Sequence, residues 1–115
     1  MVFIMTITEA NSENWNDLTI AADKPVISMF YMVSCPACNK MKPLFEDLSN
    51  KFGDRINFIQ IEAMDNYDIT EKYGILAAPS FKFFKNGGQD KSIDIDLLRG
   101  DDFSEAVSSW IEKSV

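Results

Sequence analysis

Cys35-Pro36-Ala37-Cys38 carries the two cysteines of the chain, three residues apart. An apolar run, Val26-Ile27-Ser28-Met29-Phe30-Tyr31, precedes it, and a helical pattern begins at Pro36. That order sets the first thiol at a helix N-terminus. Free N–H groups and the positive end of the helix dipole there favour thiolate over thiol. The effect is worth up to about 2 kcal/mol, or about one and a half pKa units. A thiolate is the species that attacks disulfides. The second thiol is one helical turn on, close enough to close a disulfide ring. The pair therefore reads as a dithiol able to attack a disulfide and then release itself.

The bland alternatives for the pair are weaker. Zinc takes four ligands, and the chain has no histidine and no third cysteine. A purely structural disulfide across so short a loop removes little chain entropy. No metal or cofactor is expected.

The elements that must hold the motif can be read from periodicity. Phe3 to Ile7 is a candidate first strand. Asn11 or Ser12 could cap a helix carrying Trp15, Leu18 and Ala22. Val26 to Tyr31 suits a central strand buried on both faces. Met41, Leu44, Phe45, Leu48 and Phe52 recur at helical spacing, with Pro43 inside the helix to remove a hydrogen bond and bend it, and Gly53 as its stop. Ile56 to Ile61 is a strand, Asn66 to Tyr73 a short helix closed by Gly74, and Ser80 to Lys85 another strand. Asn86-Gly87-Gly88 marks a hairpin turn. Ile93, Ile95 and Leu97 alternate with Asp94 and Asp96, as in an edge strand with one wet face. Asp102 with Glu105 resembles a capping box before Phe103, Ala106, Val107, Trp110 and Ile111. The order β-α-β-α-β-α-β-β-α predicts an α/β fold: a mixed five-stranded sheet flanked by four helices.

The 115 residues suffice for one domain, spanning 1–115. Hydrophobic content of 46% and charged content of 25% are those of a globular chain able to form its own core. A net charge of −7 argues against nucleic acid as partner. The apolar start lacks a basic leader, and no apolar run is long enough to span a bilayer. A reducing cytoplasmic setting and a monomer are the defaults. Met29, Met32, Met41 and Met64 read as core filling, and Phe81, Phe83 and Phe84 as strand packing. Trp15 and Trp110 read as packing anchors. Asp94 and Asp96 serve solubility rather than calcium.

Taken together, the chain resembles the thioredoxin family over most of its length. The resemblance rests on Phe30-Tyr31 before the motif, Cys35 and Cys38, and Pro43 in the helix. It continues through Lys72-Tyr73-Gly74-Ile75, Ala78-Pro79-Ser80 and Phe84-Lys85-Asn86-Gly87, with no gap between Cys35 and Pro79. It implies a thioredoxin fold and a thiol-disulfide oxidoreductase, an electron carrier that reduces protein disulfides. Cys35 would attack and Cys38 would resolve. Pro79 would follow a cis bond and face the disulfide, Ala78 would offer backbone groups to an extended substrate, and Gly100 would line the same groove. Partners implied are disulfide-containing proteins and a reductase such as thioredoxin reductase.

The departures from the family pattern are specific. Ser34 stands where Trp is common, and Pro36-Ala37 where Gly-Pro is common. The inner pair tunes redox potential, so this chain should have its own value. Met29 and Gln60 occupy the places of a buried Asp and Lys, and neither can carry a proton for Cys38. Glu62 is the nearest acid by sequence, although a solvated strand-end Glu is the plainer reading. The stretch from Gly87 to Gly100 is long, so the last hairpin should protrude or carry a bulge. Two further readings stay open: a glutaredoxin-like or partner-specific donor, since Pro36 follows Cys35 directly, and a non-enzymatic adaptor or redox sensor on the same fold.

Overall fold

The computed structural model describes residues 7–93, 95–96 and 100–114. Strands β1 (Ile7–Ala10), β2 (Val26–Tyr31), β3 (Asn57–Glu62), β4 (Ser80–Lys85), β5 (Gly88–Gln89) and β6 (Ile95–Asp96) make one sheet. Helices α1 (Trp15–Leu18), α2 (Pro36–Phe52), α3 (Tyr67–Lys72) and α4 (Gly100–Ser114) flank it. The strand order is β1-β3-β2-β4-β5, with β6 also on β4. β1, β3 and β2 run parallel, while β4 is antiparallel to β2. The expected mixed sheet with four helices is thus present, its fifth strand split into β5 and β6.

Alternation along the strands divides the core in two. Ile27, Met29, Phe58, Phe81 and Phe83 face α2 and α4, where Phe45, Phe52, Phe103 and Trp110 meet them. Val26, Phe30, Ile59, Ile61 and Phe84 face α1 and α3, around Trp15 and Ile69. β2 is central because its residues from Val26 to Phe30 are buried on both faces. Phe81 stacks between Phe103 at 4.5 Å and Phe45 at 5.8 Å, ring centroid to centroid. Trp15 meets Phe30 and Tyr73 at 5.4 and 5.5 Å. The two tryptophans and the three β4 phenylalanines are packing residues, as expected.

Several boundaries differ from expectation. The first strand is Ile7–Ala10; residues 3–6 lie outside the described residues. α1 has only four residues and Asn14 at its cap, with no capping side-chain bond. The reason is local: the Asn11 side chain accepts from the N–H groups of Glu13 and Asn14, so the chain forms an Asx-type turn before any helix begins. Thr19 Oγ donates back to the Trp15 carbonyl at 2.7 Å just beyond the helix end. The capping box is also displaced. α4 already includes Gly100 and Asp101, so Asp102 lies within the helix rather than at its cap.

Gly53 ends α2, though with φ of −63° rather than a left-handed value. Gly74 does end α3 with φ of +65°. Asn86 and Gly87 take φ of +55° and +83° between the paired Lys85 and Gly88, a two-residue hairpin turn of the primed type. The long stretch after it carries the expected bulge. Phe84 faces Gln89 and Phe81 faces Ile95, so three steps along β4 match six along the returning chain. Asp90 pins the bulge. Its carboxylate accepts from Ser92 N–H at 3.0 Å and from Trp110 Nε1 at 2.9 Å, and lies 3.5 Å from Lys85 Nζ. Of the alternating edge-strand residues, Ile95 and Asp96 are paired, while Asp94 and Leu97 lie outside the described residues.

Candidate active site

β2 delivers the chain to an exposed loop, Met32-Val33-Ser34, and α2 takes it away from Cys35. Cys35 is the helix N-cap, with extended φ and ψ of −128° and 102°. Pro36 fills the first helical position, where its missing N–H has no helical partner to lose. Cys35 Sγ accepts from the Cys38 N–H at 3.1 Å, so the sulfur itself caps the helix. The two cysteines are joined as a disulfide with Cα atoms 5.2 Å apart. Cys38 is 4% exposed, Cys35 half-buried, and Ser34, Pro36 and Ala37 exposed.

The loop before β4 faces this disulfide. Ala78-Pro79 is a cis peptide bond, and the Ala78 carbonyl oxygen lies 3.7 Å from Cys35 Sγ. Pro79 is buried and Ala78 half-buried. Ser80 Oγ donates to the Ala77 carbonyl and so secures the turn. Leu76, just upstream, is 99% exposed. Gly100 is the first residue of α4, and its surroundings lie outside the described residues.

Two of the four methionines read as core are not. Met29 and Met41 are buried, but Met32 and Met64 are 38% and 62% exposed, because both sit on loops at the strand ends beside the motif rather than on a packed face. The solvated reading of Glu62 is likewise overturned. Its side chain is buried, and it accepts from Met64 N–H at 2.6 Å, Asp65 N–H at 2.8 Å and Val33 N–H at 3.3 Å. The carboxylate therefore ties the loop before Cys35 to the turn before α3. A carboxylate holding backbone N–H groups is a positioning device first.

A cleft of about 160 Å³ beside Cys38 is lined by Cys38, Met29, Tyr31 and Lys42 among others. Glu9 on β1, Gln60 on β3 and Met29 on β2 form one cross-sheet row. Gln60 Nε2 donates to Glu9 Oε1 and Tyr31 Oη to Glu9 Oε2, each at 2.8 Å. Tyr31 is held well above the usual phenol range, first by burial, then by its bond to Glu9, and by the charges of Glu9, Glu62 and Asp65. Sequence reasoning missed this cluster. Strand alternation does put Tyr31 on the Met29 face, but the approach of Glu9 depends on the β1–β3–β2 register, a long-range fact.

No group of three or more potential metal-ligating side chains occurs among the described residues. No helix there is long and apolar enough to cross a membrane.

Comparison with known proteins agrees with this geometry. The thioredoxin family model matches residues 6–112. Thioredoxin M-type of Pisum sativum chloroplasts is 28% identical over 101 residues, covering 88% of this chain and 58% of its own. Thioredoxin of Alicyclobacillus acidocaldarius is 29% identical over 89 residues, covering 77% and 81%. Among solved structures, spinach chloroplast thioredoxin f in its short form superposes with a TM-score of 0.77 at 27% identity, covering 95% of this chain and 97% of that one. The chain spans 44% to 58% of the length of the first chloroplast relatives, from pea and rice. With the motif, the bonded cysteine pair and a match across nearly the whole chain in agreement, this protein belongs to the thioredoxin family.

Proposed function

We propose that the protein is a thiol-disulfide oxidoreductase that reduces protein disulfides with the Cys35–Cys38 dithiol. The observation that carries the reading is the cap geometry: Cys35 Sγ sits on the Cys38 N–H at the start of α2, half-exposed, while Cys38 is buried. A sulfur in that position is stabilised as thiolate by the N–H and the helix dipole. The difference in exposure supports one order of events. Cys35 attacks a substrate disulfide and forms a mixed disulfide, releasing one substrate thiolate. Cys38 then attacks Cys35 Sγ, closes the ring and releases the second. The dithiol loses two electrons and the substrate gains them.

The Ala78 carbonyl beside Cys35 and the cis bond after it support a role for this turn in holding an extended substrate segment. Exposed Val33, Met64 and Leu76 offer apolar contact around it. Substrates are disulfide-bearing proteins, and a reductase restores the dithiol. A reducing compartment such as the cytoplasm suits that cycle; the relatives named above include both bacterial and chloroplast proteins.

The test is insulin-disulfide reduction by dithiothreitol, with wild type and Cys35→Ser. Wild type accelerates the reaction and the variant does not. Serine is chosen because it also caps helices well, so the first turn of α2 survives the loss of the nucleophile. Absence of acceleration by wild type overturns the reading.

A further inference from the structure

Resolution requires Cys38 to give up a proton, because the thiolate is the attacking form. Cys38 is buried, and the chain has no histidine to receive it. Met29, which lines the same cleft as Cys38, has no exchangeable group, and the Glu62 carboxylate is occupied by three backbone N–H groups. The cleft that reaches Cys38 has two titratable side chains on its wall besides the cysteine, Tyr31 and Lys42. Lys42, one helical turn after Cys38 on α2, is a cation and can steady a thiolate but not take its proton. Tyr31 already donates its own proton to Glu9 at 2.8 Å, and Glu9 is exposed on the far side. Cys38 and Tyr31 line one cleft of about 160 Å³, which has room for several waters at about 30 Å³ each.

We propose that Tyr31 and Glu9 form a proton relay for Cys38, using water in the cleft as the first carrier. The inference rests on the dithiol reading above. The Cys38 proton passes to cleft water, water protonates the Tyr31 oxygen, and Tyr31 passes its hydroxyl proton to Glu9, which releases it to solvent. Cys38 thiolate then attacks Cys35 Sγ. The Cys35–substrate S–S bond breaks, its electron pair leaves with the substrate sulfur, and that sulfur takes a proton from water. Gln60 Nε2 on the other Glu9 oxygen keeps the carboxylate aimed at Tyr31. The charged groups around the phenol are Glu9 on β1, Glu62 at the end of β3, Asp65 in the following turn and Lys42 on α2. Burial and the three acids keep Tyr31 protonated, so it conducts a proton rather than acting as a standing base.

The experiment is stopped-flow reduction of a symmetric nitroaromatic disulfide whose thiolate is coloured. Attack by Cys35 releases the first coloured thiolate, and resolution by Cys38 releases the second. Wild type, Tyr31→Phe and Glu9→Gln are compared across pH, with circular dichroism checking each fold. In both variants the first release keeps its wild-type rate. The second slows by about tenfold to a hundredfold near neutral pH, at or below the usual range for proton-transfer catalysis. The deficit shrinks as pH rises past the ordinary thiol pKa of about 8.5, where direct ionisation takes over. The double variant is no slower than either single one, since the groups act in series. A second release at wild-type rate in either variant overturns the relay, and so does a deficit that ignores pH. If wild type itself gives no second release, the dithiol reading fails instead.

Discussion

At the residue scale, single polar side chains do several jobs in this molecule. Glu62 joins two loops, Glu9 gathers Tyr31 and Gln60, and Asp90 holds a bulge to α4 through Trp110. Asp90 is held at about 2 rather than 3.8, by the Ser92 hydroxyl first, then by Trp110, the Ser92 N–H and Lys85, against an opposing effect of burial. A carboxyl with a depressed folded pKa stabilises the fold above its unfolded pKa, and the contribution fades as pH falls through the folded value. Asp90→Asn should therefore lower stability by about 1 kcal/mol at neutral pH. The gap to wild type should close between about pH 4 and pH 2. Urea unfolding at stepped pH measures it, and a gap constant through that window contradicts the assignment.

At the element scale, what was legible in the sequence was what local pattern decides. β2 and β4 show as apolar runs, α2 as a helical stripe behind the cysteines, and Asn86-Gly87 as a turn needing two positive φ values. Short elements were not legible. α1 shrinks because Asn11 satisfies the turn with its own side chain, and α4 starts early enough to draw Asp102 inside. The site divides the same way. Cys35, Cys38 and the turn at Pro79 follow from spacing and resemblance, whereas the Glu9–Tyr31 contact needs three strands in register. The turn gives a clean test. Nothing lies within 4 Å of a Cβ placed on Gly87, so Gly87→Ala carries backbone strain alone. Its cost should be about 1 kcal/mol by chemical denaturation, with disulfide exchange unchanged.

At the scale of the whole molecule, a sheet covered on both faces gives two cores that share its strands. Phe81 sits fully buried in the larger one, between rings from α2 and α4. Phe81→Ala should cost about 3–5 kcal/mol. Against a total of roughly 5–15 kcal/mol for a domain, that loss is enough to leave part of the population unfolded at body temperature. A urea midpoint within error of wild type would show that the core closes over the gap. The rim around the disulfide raises a different matter at this scale. Val33, Met64 and Leu76 are 76%, 62% and 99% exposed, and in a concentrated solution each copy meets many other copies of itself. With a net charge of −7, like charge holds those copies apart. The acidic composition is thus the colloidal counterpart of the sticky rim: strong salt or acidification, by removing the repulsion, turns the same rim toward self-association.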